Sequence, residues 1–255
     1  MPYLDIDGDR IFYALHRNGA GRLPVLLIHG AGENHLVWPL RWRRLPDATV
    51  YAIDLPGHGK SSGTGKSTIE EYTDWVVTFL DAIGAAHAVI IGHSMGGAMA
   101  QWFGWKYPKR TTGLVLVATG AKLRVAPKIL ELTRSDPGAA IDLISDYEWG
   151  PSASEEIKRL GKQQLLANRP QVMHDDYSAC DRFDVIERLG EITVPTLIIA
   201  GTEDQLTPLK YANFMAARIP DARLVTVPDA GHMVMIEAET VTACAVEEFV
   251  RSIEM

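Results

Sequence analysis

The stretch IIGHSMGGAMA, residues 90–100, leads from an apolar run through a glycine-rich turn into a helix-like segment. Its centre has the pattern Gly-x-Ser-x-Gly, in which Gly92 and Gly96 flank Ser94. Serine is a preferred helix N-cap residue. The pattern alone therefore allows a structural role for Ser94 as readily as a chemical one, and the rest of the chain has to decide between them.

Composition and charge exclude several classes of protein. The 255 residues are 47% hydrophobic and 22% charged, which is typical of a globular protein with a sizeable core. The net charge of −7 argues against nucleic acid as a partner. Cys180 and Cys244 form neither a disulfide framework nor a metal site, and we expect reduced thiols, although a single bridge stays open.

The sequence shows neither a basic and apolar leader nor an uninterrupted apolar run of about 20 residues. We therefore expect a cytoplasmic protein without a membrane partner. Nothing in the sequence specifies the oligomeric state.

Short apolar runs alternate with helix-like stretches along most of the chain. Continuous apolar runs of this kind are typical of strands buried on both faces of a parallel sheet, and their alternation with helices predicts an α/β fold. An Asp-Gly turn at residues 7–8 predicts an opening hairpin of strands 3–6 and 10–16. The further predicted strands are 25–29, 49–53, 88–91, 114–117, 196–200 and 224–227. The predicted helices are 67–83, 98–107, 209–218 and 238–253.

Residues 121–190 interrupt this alternation with an amphipathic helical pattern that four prolines punctuate. The stretch leaves after the predicted strand 114–117 and returns before the predicted strand 196–200. We therefore interpret it as a helical cap inserted into one core domain, which comprises residues 1–120 and 191–255. A separate helical domain is the alternative.

Three polar residues follow three of the predicted strands. Ser94 comes after strand 88–91, Asp204 after strand 196–200, and His232 after strand 224–227. Ligands of open α/β sheets bind beyond the carboxyl ends of the strands. The chain order Ser, acid, His is that of one serine-hydrolase architecture.

Five segments in register with the strands carry a wider resemblance: HGAG at 29–32, DLPGHGKS at 54–61, GHSMGG at 92–97, GTEDQLTP at 201–208 and AGH at 230–232. The chain resembles the α/β-hydrolase superfamily over essentially its whole length. The resemblance implies the α/β-hydrolase fold, with a mostly parallel central sheet flanked by helices and a helical cap insertion. It also implies a serine hydrolase that needs no cofactor and no metal.

Each residue of the predicted triad is assigned its role on chemical grounds. The Ser94 hydroxyl is a weak nucleophile until a base removes its proton, and His232 is the expected base. Asp204 would hold the imidazole in the right tautomer, with Glu203 as its rival for this role.

The tetrahedral intermediate of such a reaction needs hydrogen-bond donors for its oxyanion. The resemblance implies that the backbone N–H groups of Ala31 and Met95 supply them.

Apolar residues near the strand ends, together with apolar cap residues, predict a pocket for a small apolar ester. The candidates near the strand ends are Trp38, Leu206 and Met233. Our leading hypothesis is a carboxylic-ester hydrolase that forms an acyl-enzyme from short-to-medium acyl substrates.

Two alternatives stay open. One is a lactonase or carbon–carbon bond hydrolase of aromatic degradation, similar to 3-oxoadipate enol-lactonase, in which Arg124 or Arg134 could bind a substrate carboxylate. The other is a non-catalytic receptor for small molecules on the same fold.

Overall fold

A twisted sheet of eight strands forms the centre of the computed structural model, which describes residues 2–18 and 23–254. The predicted outer limits of the core, residues 1 and 255, lie outside the described residues. The strands are β1 Tyr3–Ile6, β2 Asp9–Arg17, β3 Leu23–Ile28, β4 Ala48–Ile53, β5 Ala88–His93, β6 Thr111–Val117, β7 Thr196–Gly201 and β8 Ala222–Val227.

The strand order is β1-β2-β4-β3-β5-β6-β7-β8. β2 pairs antiparallel with both β1 and β4, and all other pairs are parallel. The predicted α/β class with a mostly parallel central sheet is confirmed. The parallel arrangement brings the carboxyl ends of β3 to β8 to one edge of the sheet.

Helices cover both faces of this sheet and fill the insertion between β6 and β7. They are α1 Ile69–Ala82, α2 Met95–Lys106, α3 Pro127–Ser135, α4 Pro137–Glu148, α5 Glu155–Leu166, α6 Pro170–Arg182, α7 Leu209–Ala216, α8 Val234–Glu237 and α9 Glu239–Glu254. α2 begins three residues before the predicted start, and the short helix α8 is not predicted by the sequence.

The continuous apolar strands serve two cores, one on each face of the sheet. Leu26 and Ile28 of β3 face a cluster that includes Phe79 of α1 and Phe103 of α2. Their neighbours in β3 face a second cluster that includes Phe249 of α9. Because successive strand side chains point to opposite faces, both faces require apolar residues, which explains the unbroken apolar runs.

The insertion, residues 121–190, contains α3 to α6 and one isolated strand-like bridge. The bridge pairs Lys122 with Asp184, and the Lys122 Nζ donates to Asp184 Oδ2 at 2.5 Å. The chain therefore enters and leaves the insertion at neighbouring points. A hydrogen bond of 2.8 Å from the Gly32 amide to Asp176 Oδ2 of α6 ties the insertion to the loop after β3.

Both cysteines are free thiols, Cys180 buried in α6 and Cys244 exposed on α9, so the single bridge that the sequence left open does not form. Among the described residues, no helix combines the length and apolar character needed to cross a membrane.

Candidate active site

Ser94 occupies a strained turn between β5 and α2. Its backbone has φ +50° and ψ −113°, a region that costs a non-glycine residue about 1–3 kcal/mol. The turn is too tight for side chains on either side of it. A Cβ on Gly92 would lie 2.0 Å from the Gly96 carbonyl oxygen, and a Cβ on Gly96 would lie 2.2 Å from the Ile28 carbonyl oxygen.

The Ser94 side chain makes no capping hydrogen bond with the helix that begins beside it. A plain N-cap role therefore does not account for this serine. Ser94 instead borders a cavity of about 380 Å³, which His232 also lines. We call this space the main cavity.

His232 is fixed by Asp204. Its Nδ1 lies 2.9 Å from Asp204 Oδ2. The same carboxylate accepts hydrogen bonds from the Leu206 amide at 2.9 Å and from the Thr207 amide and hydroxyl at 2.8 and 2.7 Å. Burial alone would raise the pKa of Asp204, but His232 and the Thr207 hydrogen bonds outweigh it and lower this pKa to about 2. Asp204 is therefore an anion, and its Oδ2 is placed to accept a hydrogen bond from the Nδ1 of His232.

Glu203, the rival acid, is exposed, and its Oε1 accepts a hydrogen bond from the hydroxyl of Thr202. The structure thus brings Asp204, and not Glu203, against His232.

The two predicted oxyanion donors are placed near Ser94 in different ways: one shares its cavity and the other follows it in sequence. Ala31 lines the main cavity, and Met95 is the first residue of α2. Neither backbone N–H donates to an acceptor within residues 2–18 and 23–254. Both amides are therefore free to donate, as the predicted oxyanion role would require.

A buried ion pair supports the backbone of His232. His93 Nδ1 lies 3.0 Å from Glu33 Oε2, and His93 Nε2 lies 3.1 Å from the His232 carbonyl oxygen. Both of these oxygens are acceptors, so both ring nitrogens of His93 carry protons. Burial alone would lower the pKa of His93, but the Glu33 carboxylate outweighs it and raises this pKa.

The three predicted pocket residues have different locations. Leu206 lines the main cavity. Trp38 does not, because its side chain is fully buried in the core against Trp42, with ring centroids 5.3 Å apart. Met233 lines a second cavity of about 280 Å³. The structure thus places only Leu206 of the three at the main cavity, because proximity to a strand end does not determine where a side chain points.

The two arginines considered as carboxylate binders also differ. Arg124 is an exposed residue at the border of the main cavity. Arg134 donates from Nε to His174 Nε2 at 2.7 Å and does not line this cavity.

Several site residues were not predicted from the sequence. Glu33 directly follows the HGAG segment and Thr207 belongs to GTEDQLTP, so their place in or beside these motifs could have identified both as site residues. Glu148 and Tyr177, which line the main cavity from the insertion, belong to no motif. Among the described residues, no group of three or more His, Cys, Asp or Glu side chains could hold a metal ion.

The comparison with known families agrees with this fold. A model of the alpha/beta hydrolase family matches residues 25–243. The chain belongs to this family.

Curated relatives include a pimeloyl-[acyl-carrier protein] methyl ester esterase of Neisseria meningitidis, 29% identical over 89% of this chain and 92% of the relative. A poly(3-hydroxyalkanoate) depolymerase of Ectopseudomonas oleovorans is 29% identical over 98% of this chain and 94% of the relative. The chain spans 65% of a third relative, the dihydrolipoyllysine-residue acetyltransferase component of an acetoin cleaving system of Cupriavidus necator, at 29% identity over 92% of this chain.

Comparison with solved structures finds the same fold. A thermophilic esterase superposes with a TM-score of 0.86 at 36% identity, covering 98% of this chain and 97% of that protein. An enol-lactonase from Burkholderia xenovorans LB400 superposes with a TM-score of 0.91 at 23% identity, covering 98% and 100%. At that identity, the second match shows the shared fold alone.

Proposed function

We propose that the protein is a serine hydrolase that cleaves carboxylic esters of small apolar substrates with short-to-medium acyl chains. The observation that carries the proposal is the geometry at the carboxyl edge of the sheet. Ser94, on a strained turn, borders the same cavity as His232, whose Nδ1 is held by Asp204 at 2.9 Å. The names of the esterase and depolymerase relatives support ester cleavage as the reaction.

In the proposed mechanism, Ser94 Oγ attacks the ester carbonyl carbon while His232 Nε2 accepts the hydroxyl proton. The carbonyl oxygen becomes an oxyanion that accepts hydrogen bonds from the amides of Ala31 and Met95. His232 then donates the proton to the departing alcohol oxygen as the carbon–oxygen bond breaks. Water attacks the acyl-enzyme by the same steps and releases the acid.

The lining of the main cavity favours an uncharged substrate. Its volume of about 380 Å³ is in the lower part of the range for small-molecule sites. Its apolar wall consists mainly of Val125, Ile129, Leu143, Ile144, Leu165 and Leu206.

A lactone or diketo acid that carries a carboxylate would need a cation. Among the described residues, Arg124 is the only lysine or arginine that borders the main cavity, and it is exposed. This arrangement favours the esterase over the carboxylate-binding lactonase or carbon–carbon hydrolase.

The test is turnover of p-nitrophenyl esters with acyl chains of two to twelve carbons. We expect Ser94→Ala to lower kcat/KM by a factor on the order of 10⁴ or more. The exposed serine on α3 provides a control, and Ser135→Ala should match the wild type. A fluorophosphonate probe should label the wild type at Ser94 and leave Ser94→Ala unlabelled.

Two results would contradict the proposal. Preferential turnover of an enol-lactone or a ring-cleavage diketo acid would replace the esterase with one of these activities. Tight ligand binding without turnover of any of these substrates would indicate a receptor.

A further inference from the structure

The last residue of α4, Glu148, is attached to the catalytic histidine through its backbone. Its carbonyl oxygen accepts the His232 amide hydrogen bond at 2.9 Å. The residue lines both the main cavity and the second cavity and so forms part of the wall between them. The residue is only 5% exposed.

The carboxyl group of Glu148 lacks the partners that a buried acid usually has. Among the described residues, its buried Oε2 makes no well-formed hydrogen bond; the Trp149 side chain acts on the carboxyl group as a donor, but the indole Nε1 also lacks a well-formed hydrogen bond. The neighbouring carboxylate of Glu33 is occupied, because its Oε2 accepts from the Gly30 amide at 2.6 Å and lies 3.0 Å from His93 Nδ1. Buried polar groups are rarely left unpaired, so this group points to a partner that enters the cavity.

Several charged and titratable groups surround Glu148. Burial raises the pKa of Glu148 to about 8, and the Glu33 and Glu237 carboxylates act in the same direction, while His93 and Trp149 oppose them. From α6, Tyr177 lines the same cavity, and burial raises its pKa well above the ordinary value. At neutral pH, the cavity therefore presents two neutral O–H groups, those of Glu148 and Tyr177.

These protonation states define the chemistry of a matching ligand group. A cationic group finds no free negative charge, because the Glu33 carboxylate is paired with His93. An anionic group would meet the carboxylates that already disfavour ionisation of Glu148. A neutral oxygen, by contrast, can accept a hydrogen bond from the Glu148 carboxyl.

We propose that Glu148 is a specificity-determining residue that donates a hydrogen bond to an ether, hydroxyl or keto oxygen on the acyl chain of the substrate. The main cavity then selects neutral esters with an oxygen in the chain over plain alkyl esters of the same length. This proposal rests on the proposed ester hydrolysis and identifies the substrate class of that site.

The experiment uses pairs of p-nitrophenyl esters in which one oxygen replaces one methylene. The pairs are methoxyacetate with butanoate, 3-methoxypropanoate with pentanoate, and 4-methoxybutanoate with hexanoate. The measured quantity is the preference, defined as kcat/KM for the ether divided by kcat/KM for the alkyl ester. Comparing the preference between variants removes the intrinsic reactivity of each ester.

At pH 6.5, we expect Glu148→Met to lower the preference roughly three- to tenfold for at least one pair, as loss of one neutral hydrogen bond would do. In the wild type, the preference should fall between pH 6.5 and 9.5 as the Glu148 proton is lost. In Glu148→Gln, which keeps an N–H donor and cannot ionise, the preference should not vary with pH. The exposed Glu156 provides the matched control, because Glu156→Met should retain the wild-type preference.

An unchanged preference in Glu148→Met for all three pairs would overturn the proposal. If that variant does not fold, a preference that is independent of pH in the wild type would overturn it equally. Failure of the proposed function is a separate result, since it appears as turnover that persists in Ser94→Ala with either ester of a pair.

Discussion

Thr207 donates hydrogen bonds to both oxygens of the Asp204 carboxylate. Its amide donates to Oδ1 and its hydroxyl donates to Oδ2. Together with the Leu206 amide, they hold the carboxylate with its Oδ2 2.9 Å from His232 Nδ1. These hydrogen bonds favour the charged form, which is why a carboxylate can persist here although it is only 4% exposed.

The isosteric change Asp204→Asn should lower kcat for ester hydrolysis by roughly 10³–10⁴-fold. The amide nitrogen of asparagine cannot accept the Nδ1 proton, so His232 loses the tautomer in which Nε2 is a base. Steady-state kinetics on p-nitrophenyl butanoate measures the effect. The adjacent Glu203→Gln change serves as the control and should leave kcat within a factor of two or so, since Glu203 is exposed and bonded to Thr202. A larger loss in Glu203→Gln than in Asp204→Asn would reverse the assignment of the acid.

At the residue scale, the sequence predicts which chain positions reach the carboxyl edge of the sheet better than it predicts which way their side chains point. Ser94, Asp204 and His232 were found because each follows a strand, and the ends of parallel strands meet at one edge. Trp38 lies ten residues after the end of β3 and directly follows a short 3-10 helix at His35–Val37, and its ring is buried in the core. No local sequence pattern predicts the direction in which such a turn orients the side chains that follow it.

At the scale of elements, the turn between β5 and α2 is specified by its glycines. We expect Gly96→Ala to lower the free energy of unfolding by about 1–3 kcal/mol or more. The new Cβ would lie 2.2 Å from a backbone oxygen of β3, which cannot move without disturbing the sheet. Urea denaturation provides the measurement. Gly190→Ala is the matched control, because a Cβ there meets nothing within 4 Å, and its stability should match the wild type.

The elements themselves were predicted with errors that have physical causes. β6 begins at Thr111 rather than at residue 114, because Thr111 and Gly113 pair with β5 although neither is strongly apolar. α2 begins at Met95, since the turn glycines that weaken a helical pattern are inside the helix here. The four residues of α8 are too few to show a helical period.

At the scale of the whole molecule, Asp176 of α6 connects the insertion to the core through three donors. Its Oδ2 accepts from the Gly32 amide at 2.8 Å and lies 2.7 Å from His58 Nε2. Its Oδ1 accepts from the Tyr72 hydroxyl at 2.5 Å. The second ring nitrogen of His58 lies 3.0 Å from the Pro56 carbonyl oxygen. Both nitrogens of His58 therefore face acceptors, so the ring is a buried cation paired with Asp176.

This ion pair makes global stability depend on pH. Burial alone would lower the pKa of His58, but the Asp176 carboxylate outweighs it and raises this pKa above the ordinary 6.5. Because the pKa of His58 is higher in the folded than in the unfolded state, protonated His58 stabilises the fold. This contribution is complete below the unfolded-state pKa of about 6.5 and is lost as the pH rises through the folded-state pKa. We expect the free energy of unfolding, measured by urea titration, to decrease from pH 6 to pH 9, and His58→Gln to decrease less over the same interval. The exposed His87 supplies the control, and a His87→Gln profile that differs from the wild type would contradict this explanation.

The Lys122–Asp184 bridge has a consequence for how this protein acquires new substrates. The bridge brings two positions near the ends of the insertion together, 122 and 184, and segments whose ends are close are those that a fold tolerates as insertions. Ser94, His232 and Asp204, the proposed catalytic residues, lie outside the insertion, while Glu148, Tyr177 and much of the apolar lining lie within it. If the proposed roles hold, evolution, or a chimera that takes its insertion from a relative and joins it at this bridge, can change substrate recognition and leave the proposed catalytic residues unchanged.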